Sequence, residues 1–414
     1  MTRATKDSGV EWIGQIPERW HLTRIAGLYN LRNTKVSDKD FPALSVTNKG
    51  ILPQLETAAK TNAGDNRKLV CIGDFAINSR SDRRGSCGIS PYNGSVSLIN
   101  LVLTPRSKTI PKYFDWLFHT VQFADEFYRW GHGIVDDLWS TGWEEMKKIL
   151  VPLPPLPEQQ AIADYLDDKC AQIDNITATI NEQIDVLKQY KKSIITEAVT
   201  KGLDPNSPMK DSGVEWIGKI PITWKIRKLK YSTTIRNSCA EYKTDDFYVG
   251  LENIGSFAGN FIKTNTTYEN NLYDQFFKDD VLFSKLRPYL AKVWKANCNG
   301  FCSSEFLIYK DFIGIKTYLF YFLLSDGFIY TVDSSTFGAK MPRASAYFIN
   351  NLPITLPPIS EQQAIADYLD NKCAQIDAVI ANKQAQLETL AAYKKSLIYE
   401  YVTGKKSVPG FEEA

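Results

Sequence analysis

Much of what marks a catalytic, secreted or membrane-embedded chain is missing from this 414-residue sequence. It has three histidines, His21, His119 and His132, far apart and unsupported by any motif. There is no GxxxxGK[S/T] phosphate loop, strand-borne GxGxxG, GxSxG elbow, HExxH pair or adenine-methylating N/D-P-P-Y/F signature, so no covalent chemistry is expected of the chain itself. Seven cysteines, an odd number without a regular framework, argue against a secreted disulfide scaffold. Cys298 and Cys302 lack a second ligand pair, so no metal site is expected, and Cys170 and Cys373 read as helix packing residues. The longest apolar run, 318–324 (YLFYFLL), is closed by Lys316 and Asp326 and is too short to span a bilayer. The opening MTRATKDSG carries no apolar signal segment, and a cytoplasmic location is expected.

What the chain does contain is itself, twice. Residues 6–20 read KDSGVEWIGQIPERW and residues 210–224 read KDSGVEWIGKIPITW; EQQAIADYLD then begins at Glu158 and again at Glu361. Lys6 to Lys210 is a shift of 204 and Glu158 to Glu361 a shift of 203, so two units of nearly equal length stand head to tail. The stretches between these landmarks, 21–151 and 225–354, show little likeness to one another. A frame built twice around two different inserts suggests two distinct readers held in one fixed relation.

The net charge of +2 hides a division along the repeat. Residues 21–151 and 225–354 each carry +4, whereas 158–199 carry −4 and 361–402 carry −2. A polyanion is drawn to the inserts and discouraged from the connectors.

Pro154, Pro155 and Pro157, and again Pro357 and Pro358, break the chain just before a long helical pattern. A seven-residue spacing runs Leu166, Ile173, Ile180, Leu187, Ile194, with Ile176 and Tyr190 as companions. The second copy runs Leu369, Ile376, Leu390, Leu397, with Val379 and Tyr393 as companions and Lys383 as an interruption. Helices over 158–199 and 361–402 are expected, each roughly 60 Å long. Twofold-related copies would set them antiparallel. The expected fold is mixed α+β: two globular α/β modules separated by two long antiparallel helices in a pseudo-twofold internal repeat. The segments are 1–157, 158–209, 210–357 and 358–414.

Two loops suit nucleic acid. Asn78, Ser79, Arg80, Arg83 and Arg84 follow an apolar strand that begins at Gly73-Asp74; Ser284, Lys285, Arg287 and Tyr289 follow one that begins at Asp279-Asp280. Lys340 and Arg343 form a further basic cluster close to the second helix. Arginine presents a planar fork that fits guanine O6 and N7, and Ser, Asn and Lys can hold phosphates.

The pairing of VEWIGxIP with LPPLPEQQ and LPPISEQQ, and YKKS near each helix end, make the whole chain resemble the specificity subunit of a Type I restriction-modification system. The resemblance implies two target recognition domains, 21–151 and 225–354, each reading one half of a bipartite asymmetric sequence in double-stranded DNA. The helices would act as a ruler for the unread gap. It also implies docking of two methyltransferase subunits and of restriction subunits, for which Trp12, Trp216, Glu158, Gln159, Glu361, Gln362, Tyr190 and Tyr393 are the candidates. The chain would need no cofactor of its own, with S-adenosylmethionine, ATP and magnesium carried by those partners, and no membrane. The competing expectation is a duplicated coiled-coil scaffold without DNA binding, which leaves the basic inserts unexplained.

Overall fold

The computed structural model describes residues 3–54, 64–106, 109–133, 139–243, 246–266 and 268–411. The chain divides into two compact units, Met1–Thr179 with Ala385–Ala414, and Ile180–Gln384. Each of these units takes in part of both long helices. Apolar burial is the reason. Ile162, Ala163, Leu166, Leu397, Tyr401 and Val402 belong to the core of the first unit, and Ile194, Ile195, Ala198, Ile365 and Leu369 to that of the second.

The helices span Leu156–Lys201 and Ile359–Val402. The first starts earlier than expected, with Pro157 inside its opening turn, where a missing N–H costs nothing. Gly202 and Gly404, at φ +80° and +73°, end the two helices in the left-handed conformation that glycine adopts without strain. Within each unit the helical segments run antiparallel. In the first, Tyr165 meets Tyr401 at 4.6 Å between ring centres and Asp174 accepts from Lys394 at 2.6 Å. In the second, Lys191 donates to Asp377 at 2.7 Å and Lys383 to Gln183 at 2.6 Å.

The leading heptad residues Leu166, Ile173, Ile180, Ile194, Leu369, Ile376 and Leu397 are buried. Their companions are not: Ile176, Tyr190, Val379 and Tyr393 remain 44–52% exposed. Two helices cover only a narrow stripe of each other, and these four positions lie outside it.

Each unit carries an antiparallel four-stranded sheet of matching order. In the first it runs Cys87–Ile89, Phe75–Asn78, Asn100–Pro105, Tyr29–Arg32. In the second it runs Val293–Lys295, Val281–Ser284, Phe306–Lys310, Thr234–Ile235. Helices Pro111–Phe118 and Lys316–Leu324 pack against these sheets. A buried tyrosine then ties each module to the last turn of a long helix: Tyr113 donates to the Val402 carbonyl at 2.7 Å, and Tyr318 to the Val199 carbonyl at 3.2 Å. Unlike sequences reach one architecture because the apolar pattern, not residue identity, sets strand and helix placement.

Candidate nucleic-acid interface

The basic loops stand on a charged fork that the sequence pattern only hinted at. Arg32 donates through Nε and Nη2 to the two oxygens of Asp74, at 2.7 and 3.0 Å, and Arg236 does the same to Asp280, at 2.7 and 3.2 Å. Asp74 also accepts from the Cys71 N–H at 2.8 Å, and Asp280 from the Phe277 N–H at 2.9 Å. Asp74 holds the Arg32 guanidinium above its ordinary pKa through their hydrogen bond. These carboxylates explain why Gly73-Asp74 and Asp279-Asp280 precede the two strands. Gly73 and Asp279 take φ of +86° and +70° so that the next residue can turn inward. The arginine partners, some forty residues upstream, carried no local signal.

At the far end of each strand two loops are laced together. In the second unit, residues 337–343 close on themselves through mutual backbone bonds of Phe337 and Arg343, at 3.3 and 3.1 Å. The strap then joins the strand end: Arg287 N donates to the Pro342 carbonyl at 2.8 Å and Ala344 N to the Lys285 carbonyl at 3.0 Å. Lys285, Arg287, Tyr289, Lys340 and Arg343, read as two clusters from sequence, are thereby one. Arg287 and Tyr289 project from a tight turn flanked by left-handed Arg287 and Ala291, at φ +49° and +45°. Arg287, Tyr289 and Lys340 are exposed, and Arg343 is paired with Glu305.

The first unit repeats the lacing with different residues. Thr141 N donates to the Ser79 carbonyl at 3.0 Å and Ser81 N to the Trp139 carbonyl at 3.1 Å, while His132 and Ser140 exchange bonds of 2.9 and 3.0 Å. Arg80, Arg83 and Arg84 are exposed on this loop. Arg84 meets Asp125 at 2.8 Å and lies over the Tyr128 ring at 5.4 Å; Arg83 sits 3.4 Å from Asp82.

Three of the candidate contact residues are enclosed in the free chain. Asn78, Ser79 and Ser284 are buried. Asn78 Oδ1 accepts from Arg80 N at 3.0 Å, and Ser284 Oγ donates to the Leu286 carbonyl at 2.9 Å. These bonds shape the loops.

The candidate docking residues divide in the same way. Glu158, Gln159 and Gln362 are buried and spent inside their own modules. Glu158 accepts from Arg3 at 2.5 Å, Arg19 at 3.1 Å and Trp20 Nε1 at 2.9 Å. Gln159 accepts from Ile110 N at 2.9 Å and donates to the Pro154 carbonyl at 2.8 Å; Gln362 repeats this with Ile315 N at 3.0 Å and the Pro357 carbonyl at 2.9 Å. The EQQ motif thus clamps each module's helix to the start of a long helix. Trp12 and Trp216 are half-buried against Phe123 and Phe322, both at 5.9 Å. Glu361 is half-buried, and Tyr190 and Tyr393 are exposed. In YKKS the anchored residue is the first lysine: Lys191 and Lys394 pair with Asp377 and Asp174. A second tie missed from sequence links Trp116 Nε1 to Asp167 at 2.8 Å and the Tyr321 hydroxyl to Asp370 at 2.7 Å.

Among the described residues no group of His, Cys, Asp and Glu side chains could hold a metal ion, and the seven cysteines are free thiols. No helix among them is long and apolar enough to cross a membrane.

The family model described as the Type I restriction modification DNA specificity domain matches the chain twice, at residues 17–186 and 221–389. The chain is 26% identical to the Type I restriction enzyme MjaVIII specificity subunit of Methanocaldococcus jannaschii, over 94% of each chain. It is 23% identical to the EcoDI specificity subunit of Escherichia coli over 57% of each. Its fold is similar to that of a chain solved in a study of complex assembly and conformational transition of the type I R-M system, with a TM-score of 0.70 at 13% identity, covering 94% of this chain and 99% of that one. The HsdS subunit from Thermoanaerobacter tengcongensis gives a TM-score of 0.55 at 15% identity, covering 97% and 100%.

Proposed function

Because the chain belongs to the family of Type I restriction-modification specificity subunits and carries two target recognition domains, we propose that each domain reads one half of a bipartite, asymmetric duplex sequence. The observation that carries this is the shared lacing. Two modules of unlike sequence present basic side chains from the same pair of joined loops, above the same Arg–Asp fork. A shared four-stranded sheet and lacing with different exposed residues are what independent reading of two half sequences requires. Arg80, Arg83 and Arg84 serve the first half; Lys285, Arg287, Tyr289 and Lys340 serve the second.

The long helices set the unread gap and, with Tyr190 and Tyr393 exposed on them, meet the methyltransferase subunits. Those subunits bring S-adenosylmethionine and carry out methyl transfer, while restriction subunits add ATP and magnesium chemistry. This chain supplies recognition and no catalytic group. An exchange of residues 21–151 for the first module of another family member, followed by genome-wide mapping of methylated adenines, tests the division. One half sequence should change and the other persist; a change in both halves refutes independent readers.

A further inference from the structure

The two modules carry equal net charge, yet it is distributed differently. In the second, residues 219–235 hold Lys219, Lys225, Arg227, Lys228 and Lys230 and no acid, and residues 345–356, which pack beside them, hold no charge at all. The corresponding stretches of the first module, 15–31 and 142–153, mix Glu18, Glu144 and Glu145 with four basic residues and net only +1. Surface charge that serves solubility alone is normally interspersed in sign.

Structure turns this run into a face. Strand Lys225–Lys228 pairs antiparallel with Pro353–Leu356, and the turn Leu229–Tyr231 follows, pinned by the bond from Leu229 N to the Leu352 carbonyl at 2.9 Å. Ile226 and Leu229 face the core, so Lys225, Arg227, Lys228 and Lys230 stand exposed. None of the four enters an ion pair among the described residues; Lys230 lies over the Tyr231 ring at 5.0 Å. The turn packs on helix Ala346–Asn351, whose Tyr347 is 78% exposed. That helix begins three residues after Arg343 and leads into strand Pro353–Leu356, so it joins the laced loops to the strip along the chain.

We propose that Lys225, Arg227, Lys228 and Lys230 form a second phosphate-binding surface, which grips the duplex backbone beside the half sequence read by the second module. This rests on the chain's reading as a DNA specificity subunit. It makes the second module the stronger electrostatic anchor of the pair, although it adds nothing to base discrimination.

The test uses the subunit assembled with its methyltransferase partners and a duplex bearing the bipartite sequence that complex methylates. Affinity is measured as a function of salt for wild type and for K225Q/R227Q/K228Q/K230Q. Loss of four phosphate contacts lowers the slope of log affinity against log salt by about 3 to 4, so between 50 and 200 mM salt wild type should lose roughly 100-fold more affinity than the variant. The methylated sequence should not change, and K225R/K228R/K230R should keep the wild-type slope. An unchanged slope for the Gln variant overturns the proposal, as does failure of that variant to join its partners while it remains folded, which would make the strip a protein contact. Should wild type methylate no bipartite sequence, the specificity-subunit reading itself fails, an outcome separate from either.

Discussion

Substitution of Asp280 by Asn puts the Arg–Asp fork to a quantitative test. Asp280 is buried, and its carboxylate takes both prongs of Arg236 and one backbone N–H. Asn keeps the shape but loses the charge and one acceptor oxygen, so Arg236 stays enclosed and half-satisfied. Breaking a fully buried pair costs about 3–5 kcal/mol. Because the Arg236 side chain is 20% exposed, water relieves part of this and the low end, about 3 kcal/mol, is expected. For a unit of this size that lowers the melting transition by roughly 6–12 °C. Calorimetry of the full-length subunit should show the shift in the transition of the second unit and not in that of the first. The companion variant R236M/D280L removes both charges and should recover most of the loss, since an apolar pair leaves nothing unpaired. A shift below about 1 °C, or a double variant no more stable than D280N, would refute the view that this fork supports the loops. Reading of the second half sequence should weaken while the first is spared.

The interhelical ion pairs should differ in strength. Double-mutant cycles with K191M/D377N and K394M/D174N are expected to give coupling near 1 kcal/mol for the first and about half that for the second, because Lys191 is 9% exposed and Lys394 27%. Equal couplings would contradict the burial argument. A third expectation comes from an imperfection of the repeat. Tyr401 packs on Tyr165 in the first unit, whereas its counterpart in the second, Ala198, leaves a cleft of about 380 Å³ beside Tyr368. A198Y should fill it and stabilise the second unit by about 1 kcal/mol, raising its melting transition by 2–4 °C. A lower transition would show that the cleft cannot accept the ring.

Legibility from sequence followed the range of the interaction. The repeat, both long helices, the strands before the basic loops and the apolar lead positions were all readable, because each is a local pattern of a few residues. The EQQ glutamines were readable as a motif and not as a clamp: Gln159 serves Ile110, and Gln362 serves Ile315, nearly fifty residues away. Asn78, Ser79 and Ser284 look like contact residues in a linear string because polar residues in a basic loop usually face solvent. Here Asn78 and Ser284 end strands that are flanked on both sides, and all three are buried.

By itself the sequence determined that two alike frames enclose two unlike modules, that the modules are basic and the connectors acidic, and that long amphipathic helices join them. Those properties follow from composition and period, which need no knowledge of the fold. Only the tertiary structure decided which side chains are spent internally and which face outward. It joined residues 285–289 to 340–343, drew Arg32 to Asp74 and Arg236 to Asp280, and shared each long helix between the two units. Burial and hydrogen-bond satisfaction are set by chain segments that meet only on folding, and that is the information a linear pattern cannot carry.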